Sequence, residues 1–267
     1  MRHAVQDSHR KIAVADFLGR FDHATIALLL LDYDGTLAPF QTDRHRAFPY
    51  SGVIPVLDRI IRSGRTKVSI ISGRPVSEIE NLLNPLTDFE IWGAHGLEHR
   101  SADGAYQRAK INFDISAILQ EAEDWLREAG LLSIAEIKPG GIAVHWRGMS
   151  SSEMQRVQNA VGEGWRKFDE AHQIKLLAFD GGIELRAAHP DKGDAIHAIL
   201  ANADPAAPIA FLGDDLTDED AFRVLNGYGL SVLVRSEYRD TAANAWLRPP
   251  QELIDFLELW SKTLSTD

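Results

Sequence analysis

The sequence contains no cysteine, which excludes disulfides, thiolate nucleophiles and zinc sites built on sulfur. No apolar run approaches the ~20 residues that span a bilayer. The first residues, "MRHAVQDSHRKIAVADFLGR", carry charges throughout, unlike a secretory signal. Basic residues are in deficit, with 28 Lys and Arg against 39 Asp and Glu and a formal charge of −11. A duplex nucleic acid needs a basic face to neutralise its phosphates, so none is expected as a partner. An anionic small molecule would need a local cationic pocket or a metal ion to overcome that field. Repeats and low-complexity stretches are missing too. The expectation is a cytoplasmic protein with no membrane partner.

What is present is a series of short apolar runs bounded by Gly, Pro or Asp. "TIALLLL" (25–31), "KVSIIS" (67–72), "FEIWGA" (89–94), "PIAFLG" (208–213) and "LSVLVR" (230–235) are continuous rather than alternating. Such runs suit strands buried on both faces of a parallel sheet. Helical patterns lie between them. "SGVIPVLDRIIRSG" puts Ile54, Leu57, Ile60 and Ile61 on one face and stops at Gly64. "LTDEDAFRVLNG" opens with Thr217 three residues before Asp220, a variant capping box. The alternation predicts a doubly wound, Rossmann-like α/β core.

The middle has another rhythm. The helix "ISAILQEAEDWLREAG" carries an apolar stripe of Ile118, Leu119, Ala122, Trp125 and Leu126. The hairpin "SIAEIK-PGG-IAVHWR" follows, then the helix "EMQRVQNAVGEGWRKFDEAH", then a second hairpin, "IKLLAF-DGG-IELRA", turning at Asp180, Gly181 and Gly182. Helix, hairpin, helix, hairpin predicts an α+β cap over 108–188, inserted into a core of 21–107 and 189–267. A loose N-terminal extension covers 1–20.

Chemistry gathers at the ends of the apolar runs, where open parallel sheets bind ligands. "IALLLLDYDGTLAPF" passes from Leu31 to Asp32 and Asp34 in a few steps. Two carboxylates leaving a buried strand repel one another and resist desolvation, so something must compensate them. A hard divalent cation such as magnesium does so, and it tolerates substrate phosphate in its shell. A plain Asx turn is the alternative. "IAFLGDDLTDEDAF" repeats the pattern with Asp214, Asp215 and Asp218, although acidic residues at a helix start also serve the dipole. "SIISGRP" presents Ser72, Gly73 and Arg74 before a helix, where a hydroxyl and free backbone N–H groups bind phosphate oxygens or Ser72 simply caps. "HPDKGDAI" offers Lys192 as a point charge for a phosphoryl oxygen or a carboxylate, or as a solvated lysine.

As an ordered set, "LDYDGT", "IISGR", "DKG" and "GDDLTDED" resemble the four motifs of the haloacid dehalogenase-like phosphatase superfamily. The resemblance implies that Asp32 is the nucleophile taking the phosphoryl group. It makes Asp34 the general acid and then the general base. Mg²⁺ would be held by Asp32, the backbone carbonyl of Asp34 and Asp214, with Asp215 or Asp218 in support. Ser72 and Lys192 would clamp the transferring group.

A narrower likeness extends through the cap. "LDYDGTLAP", "WGAHGLEHR", "EIK" ahead of "HWR", "IELR" and "GDDLTDEDAF" resemble the trehalose-6-phosphate phosphatases. This implies that Glu136, Lys138, Arg147 and Glu184 bind sugar hydroxyls, with Arg74 and the His95–Gly96 loop lining the junction. Period two places Glu136 and Lys138 on one strand face, and His145 and Arg147 on one face of the next; a merely solvated face is the alternative. Two departures stand out: "DGG" replaces a turn with lysine, and no proline follows "ELR". The expected partner is a small-molecule sugar phosphate, acting on a monomer. Phosphatases of other sugar or sugar-acid phosphates, of the sucrose or mannosylglycerate type, are the alternatives within enzymes. A non-catalytic sugar-phosphate sensor is the alternative outside them.

Overall fold

The computed structural model describes residues 14, 17–168, 173–179 and 181–263. Asp180, the last four residues of the helix expected over 153–172, and most of the 1–20 extension lie outside the described residues. From the N-terminus, β1 (Ala27–Leu31), α1 (Val53–Arg62), β2 (Thr66–Ile71), α2 (Val76–Leu83), β3 (Glu90–Gly93), β4 (Glu98–Arg100) and β5 (Tyr106–Arg108) come first. The insert holds α3 (Phe113–Glu128), β6 (Ala135–Lys138), β7 (Gly141–His145), α4 (Ser151–Gly164), β8 (Ile174–Phe179) and β9 (Gly182–Ala187). The chain then resumes with α5 (Lys192–Ala201), β10 (Ile209–Gly213), α6 (Glu219–Leu225), β11 (Leu230–Val234), β12 (Ala245–Leu247) and α7 (Gln251–Thr263).

Two compact units result, one of residues up to Gln107 with Lys192 onward, the other Arg108–Asp191. The first is built on one sheet in the order β12-β11-β10-β1-β2-β3-β4-β5. All five continuous runs became neighbouring parallel strands. Continuous apolarity has a cause here, because both sheet faces are covered. Leu29 and Leu31 pack with α1, α2 and α7 residues such as Leu57, Ile79 and Trp260. Leu28 and Leu30 pack with α5 and α6 residues such as Ile196 and Phe222. Burying each such side chain stabilises the fold by roughly 1.5–3 kcal/mol. The doubly wound α/β class is therefore the observed one. The short strands β4, β5 and β12 carry too few residues to show a pattern, and β4 runs antiparallel to β3.

Strand order reverses between β1 and β10. Leu31 pairs with Leu212, and the Asp32 N–H donates to the Leu212 carbonyl at 2.8 Å. Asp32 and Asp214 thus leave adjacent strands at the switch point, where ligands bind in this architecture.

The second unit is an antiparallel sheet in the order β6-β7-β9-β8 with α3 and α4 on one face. Ile142, Val144, Leu185 and Ala187 turn toward Ala122, Leu126, Val157 and Val161. The opposite face carries the charged residues. Among the described residues, no helix is long and apolar enough to cross a membrane.

Candidate active site

The turn after β1 separates its residues by polarity. Tyr33 is fully buried and its hydroxyl donates to the Ala47 carbonyl at 2.6 Å, which anchors the turn in the core. Its neighbours, Asp32 and Asp34, take different partners. Asp32 is 4% exposed and accepts a hydrogen bond from Lys192 Nζ at 2.7 Å. The same ammonium donates to Asp218 at 2.7 Å. Carboxylate oxygens of Asp32, Asp214 and Asp218 all lie within 4.8 Å of one another.

Three buried carboxylates therefore face one buried ammonium. Burial pushes the Asp32 carboxyl from 3.8 to about 7 even though Lys192 pulls it down. Asp214 is raised well above the ordinary carboxylate range, first by burial and then by Asp32 and Asp218. Burial works against the Lys192 charge, but Asp218 and Asp32 outweigh it and hold the ammonium protonated. Arg235 approaches Asp214 only to 3.9 Å. When ionised, the three carboxylates outnumber the one ammonium and offer only hard oxygens, which is the chemistry a divalent cation of the magnesium class requires.

Gly35 makes this convergence possible. Its φ is +79°, and a Cβ there would sit 2.1 Å from Asp214 Oδ2. No other residue fits both the backbone and the space.

Asp34 is held apart from the cluster. Arg74 grips it with both sides of the guanidinium fork, Nε to Oδ2 at 2.6 Å and Nη2 to Oδ1 at 2.7 Å. Arg74 Nη1 donates to Glu78 at 3.1 Å and to the Arg44 carbonyl at 2.9 Å. Arg74 was expected to line the sugar junction; it is 5% exposed, and its donors are taken by these neighbours, so it positions Asp34 instead.

Several other expectations are altered. The α2 N-terminus does not offer its first amide to a phosphate, because the Val76 N–H donates to Glu98 at 2.8 Å. Ser72 Oγ accepts the Arg74 N–H at 3.1 Å, a local cap, while Ser72 leaves β2 at the same sheet end as Asp32 leaves β1. The capping box over 217–220 is replaced by one between Asp215 and Asp218, since a 3-10 turn, Leu216–Asp218, precedes α6. The two acids proposed as support take different positions. Asp218 joins the cluster, and Asp215 turns to the Leu216 N–H at 2.8 Å.

His95 lies in a turn with Ala94, His95 and Gly96 at φ of +47°, +58° and +103°. Non-glycine residues in that region mark stored strain, a feature that clusters at functional sites. The His95 ring fills the space over Gly73, where a Cβ would meet Nε2 at 2.6 Å.

On the cap sheet, register places Glu136 opposite Ala143 and Ala143 opposite Glu184. Lys138 pairs with Glu184, and His145 with Glu136 at 2.9 Å. Arg147 departs from expectation: β7 ends at His145, and its guanidinium packs over Gly181 instead of sharing the strand face. The quoted "IELR" also contains a residue that sequence reading passed over. Arg186 shares the Glu184 face by period two and is 4% exposed. Arg239 is invisible to sequence reading, and Glu219 reads there as a helix-dipole acid, because no local pattern tells which loop a distant arginine reaches.

A sequence profile described as trehalose-phosphatase matches residues 30–249. A trehalose-phosphate phosphatase of Mycobacterium ulcerans is 30% identical over 93% of this chain and 65% of the relative. The chain thus spans somewhat under two thirds of that relative's length. Among solved structures, the C-terminal domain of Candida albicans trehalose-6-phosphate phosphatase aligns with a TM-score of 0.80 at 21% identity, covering 93% of this chain and 96% of that one. The C-terminal domain of a C. albicans trehalose synthase regulatory protein aligns at 0.72 and 15% identity, with 92% and 97% covered. At such identities the structural likeness speaks for the fold.

Proposed function

The chain belongs to the trehalose-phosphatase family, and on that premise we propose that it hydrolyses trehalose 6-phosphate to trehalose and phosphate, with Mg²⁺, through an aspartyl phosphate on Asp32. The observation that carries this reading is the buried Asp32–Asp214–Asp218 cluster bridged by Lys192. A binding-only protein has no need of a nucleophile held beside such a cluster and a second carboxylate kept ready nearby.

Mg²⁺ would be held by Asp32, Asp214 and the backbone carbonyl of Asp34, with Asp218 in support through Lys192. When bound, it neutralises the negative charge shared by the carboxylates and the phosphoryl oxygens. An Asp32 oxygen attacks phosphorus, and the bond from phosphorus to the sugar oxygen breaks. Asp34 delivers a proton to that oxygen as it leaves. Water then attacks phosphorus, Asp34 takes its proton, and the bond to Asp32 breaks to release phosphate and restore the carboxylate. Lys192 and Ser72 restrain the phosphoryl oxygens, where positioning and charge supply most of the rate.

The leaving group is read by the polar face of the cap sheet. Glu136, Lys138 and Glu184 on that face, with Arg147 beside the turn at Gly181, supply donors and acceptors of the kind that sugar hydroxyls match. Phosphate release across a panel of sugar phosphates tests the assignment. Trehalose 6-phosphate is expected to give the highest kcat/KM and to lose all turnover in EDTA. A higher kcat/KM on a sucrose or mannosylglycerate phosphate overturns the substrate, and EDTA resistance overturns the metal.

A further inference from the structure

The loop between β11 and β12 contains Arg239, whose side chain reaches back to the residues that follow β10. Nη2 donates to the Asp215 carbonyl at 2.7 Å, and both Nε and Nη2 lie 3.4 Å from the Asp214 carbonyl. The N–H groups of the same two residues, Asp214 and Asp215, each donate to Asp218 Oδ2 at 2.9 Å. Four consecutive backbone polar groups are thereby held, the donors by a buried anion and the acceptors by a cation.

Arg239 is itself fixed. Nη1 donates to the Asp240 carbonyl at 3.0 Å and pairs with Glu219, the first residue of α6. Glu219 also accepts from Thr241 Oγ1 and from the Ala242 N–H, each at 2.8 Å. The Glu219 charge cancels that of Arg239, so the pair adds no net charge to the cluster. Its effect on the site is through geometry.

That geometry matters because Asp214 stands where its charge is opposed. It faces Asp32 and Asp218, and its carboxylate packs against Gly35. Once this carboxyl is ionised, as a cation requires, repulsion from its neighbours favours any backbone rotation that turns the side chain away. A dipeptide gripped on both edges resists that rotation, and preorganised ligands bind a metal more tightly because less ordering remains to be done.

We propose that Arg239, backed by Glu219, is a positioning residue that holds Asp214 in its cation-binding orientation. The proposal rests on the cation site described above. Outer partners of metal ligands are worth roughly 10- to 100-fold in affinity or activity, and a loss in that range is expected here.

The test uses the full chain and Mn²⁺ as the probe, with binding followed by electron paramagnetic resonance in the absence of substrate. Arg239→Ala is expected to weaken Mn²⁺ binding by roughly 10- to 100-fold. The Mg²⁺ concentration for half-maximal activity should rise by the same factor, with most of kcat recovered at saturating Mg²⁺. Arg239→Lys should fall between, because an ammonium cannot serve two carbonyls and Glu219 as a planar fork does. Should Arg239→Ala fail to fold, Arg239→Lys and Glu219→Gln make the same comparison. Thr241→Val separates positioning from general stitching: it removes a Glu219 contact and leaves the Asp214–Asp215 carbonyls held. It should lower the thermal midpoint without changing Mn²⁺ affinity. Wild-type affinity in the Arg239 variants, or an equal loss in Thr241→Val, overturns the proposal alone. Failure of the wild-type protein to bind Mn²⁺ overturns the cation site and the proposal with it.

Discussion

Removing the cation should make stability fall as pH rises, and the size follows from Asp32. In the folded, cation-free protein its carboxyl holds a proton up to about pH 7, whereas an ordinary carboxyl loses it near 3.8. Between those values the folded chain binds more protons than the unfolded one, so raising pH favours unfolding. A difference of roughly three pH units corresponds to a loss on the order of 4 kcal/mol once pH exceeds 7. Asp214 is shifted in the same direction and adds to it. Bound Mg²⁺ takes the carboxylates ionised and removes the proton competition, so its stabilisation should grow with pH. Denaturant titrations followed by tryptophan fluorescence, run in EDTA and in Mg²⁺ from about pH 5 to pH 8, measure this. Asp32→Asn supplies the reference, since it has no proton to lose. The wild-type protein in EDTA should lose stability relative to that variant across the range. A constant difference between the two would refute the electrostatic reasoning.

Gly35→Ala puts a methyl group into the Asp214 carboxylate at a backbone angle alanine resists. Turnover should fall on the order of 100-fold, as for a 1 Å misplacement, together with Mn²⁺ binding; a near-normal rate would mean that Asp214 can move harmlessly. Arg74→Ala frees Asp34 and should slow trehalose 6-phosphate hydrolysis by roughly 100-fold or more. In the same variant the first-turnover release of p-nitrophenol from p-nitrophenyl phosphate should be spared, because that leaving group needs no proton, and an equal loss in that step would argue against Arg74 as the holder of an acid. Lys138→Ala and Glu184→Ala should each lower kcat/KM on trehalose 6-phosphate by on the order of 10- to 100-fold, the worth of charge-assisted hydrogen bonds. Matching losses on p-nitrophenyl phosphate would mean that the cap sheet does not read the sugar.

The α/β core was legible because burial on both faces forces continuous apolar strands, and a carboxylate at the end of such a run is conspicuous. Asp32 and Asp214 could be singled out in that way, and adjacent strands bring them together. The rest depended on contacts far apart in the chain. Arg74 reads as a residue free for ligand until the fold lays it on Asp34, 40 positions away. Asp215 and Asp218 look equivalent in "GDDLTDED", and only the extra 3-10 turn before α6 decides which caps and which enters the cluster. Glu219 passes for a helix-dipole acid, yet its partners, Arg239, Thr241 and Ala242, come from the loop beyond β11. Arg147 shows the limit of period two, which holds only while the strand lasts.

Asp34→Asn, given labelled p-nitrophenyl phosphate and Mg²⁺ and then quenched in acid, isolates the phosphoryl transfer itself. The activated leaving group needs no acid for the first step, while hydrolysis lacks its base. Labelled phosphoryl should accumulate on the peptide containing Asp32 and be released by hydroxylamine. Label on another residue, or nitrophenol released with none on the protein, would contradict transfer to Asp32.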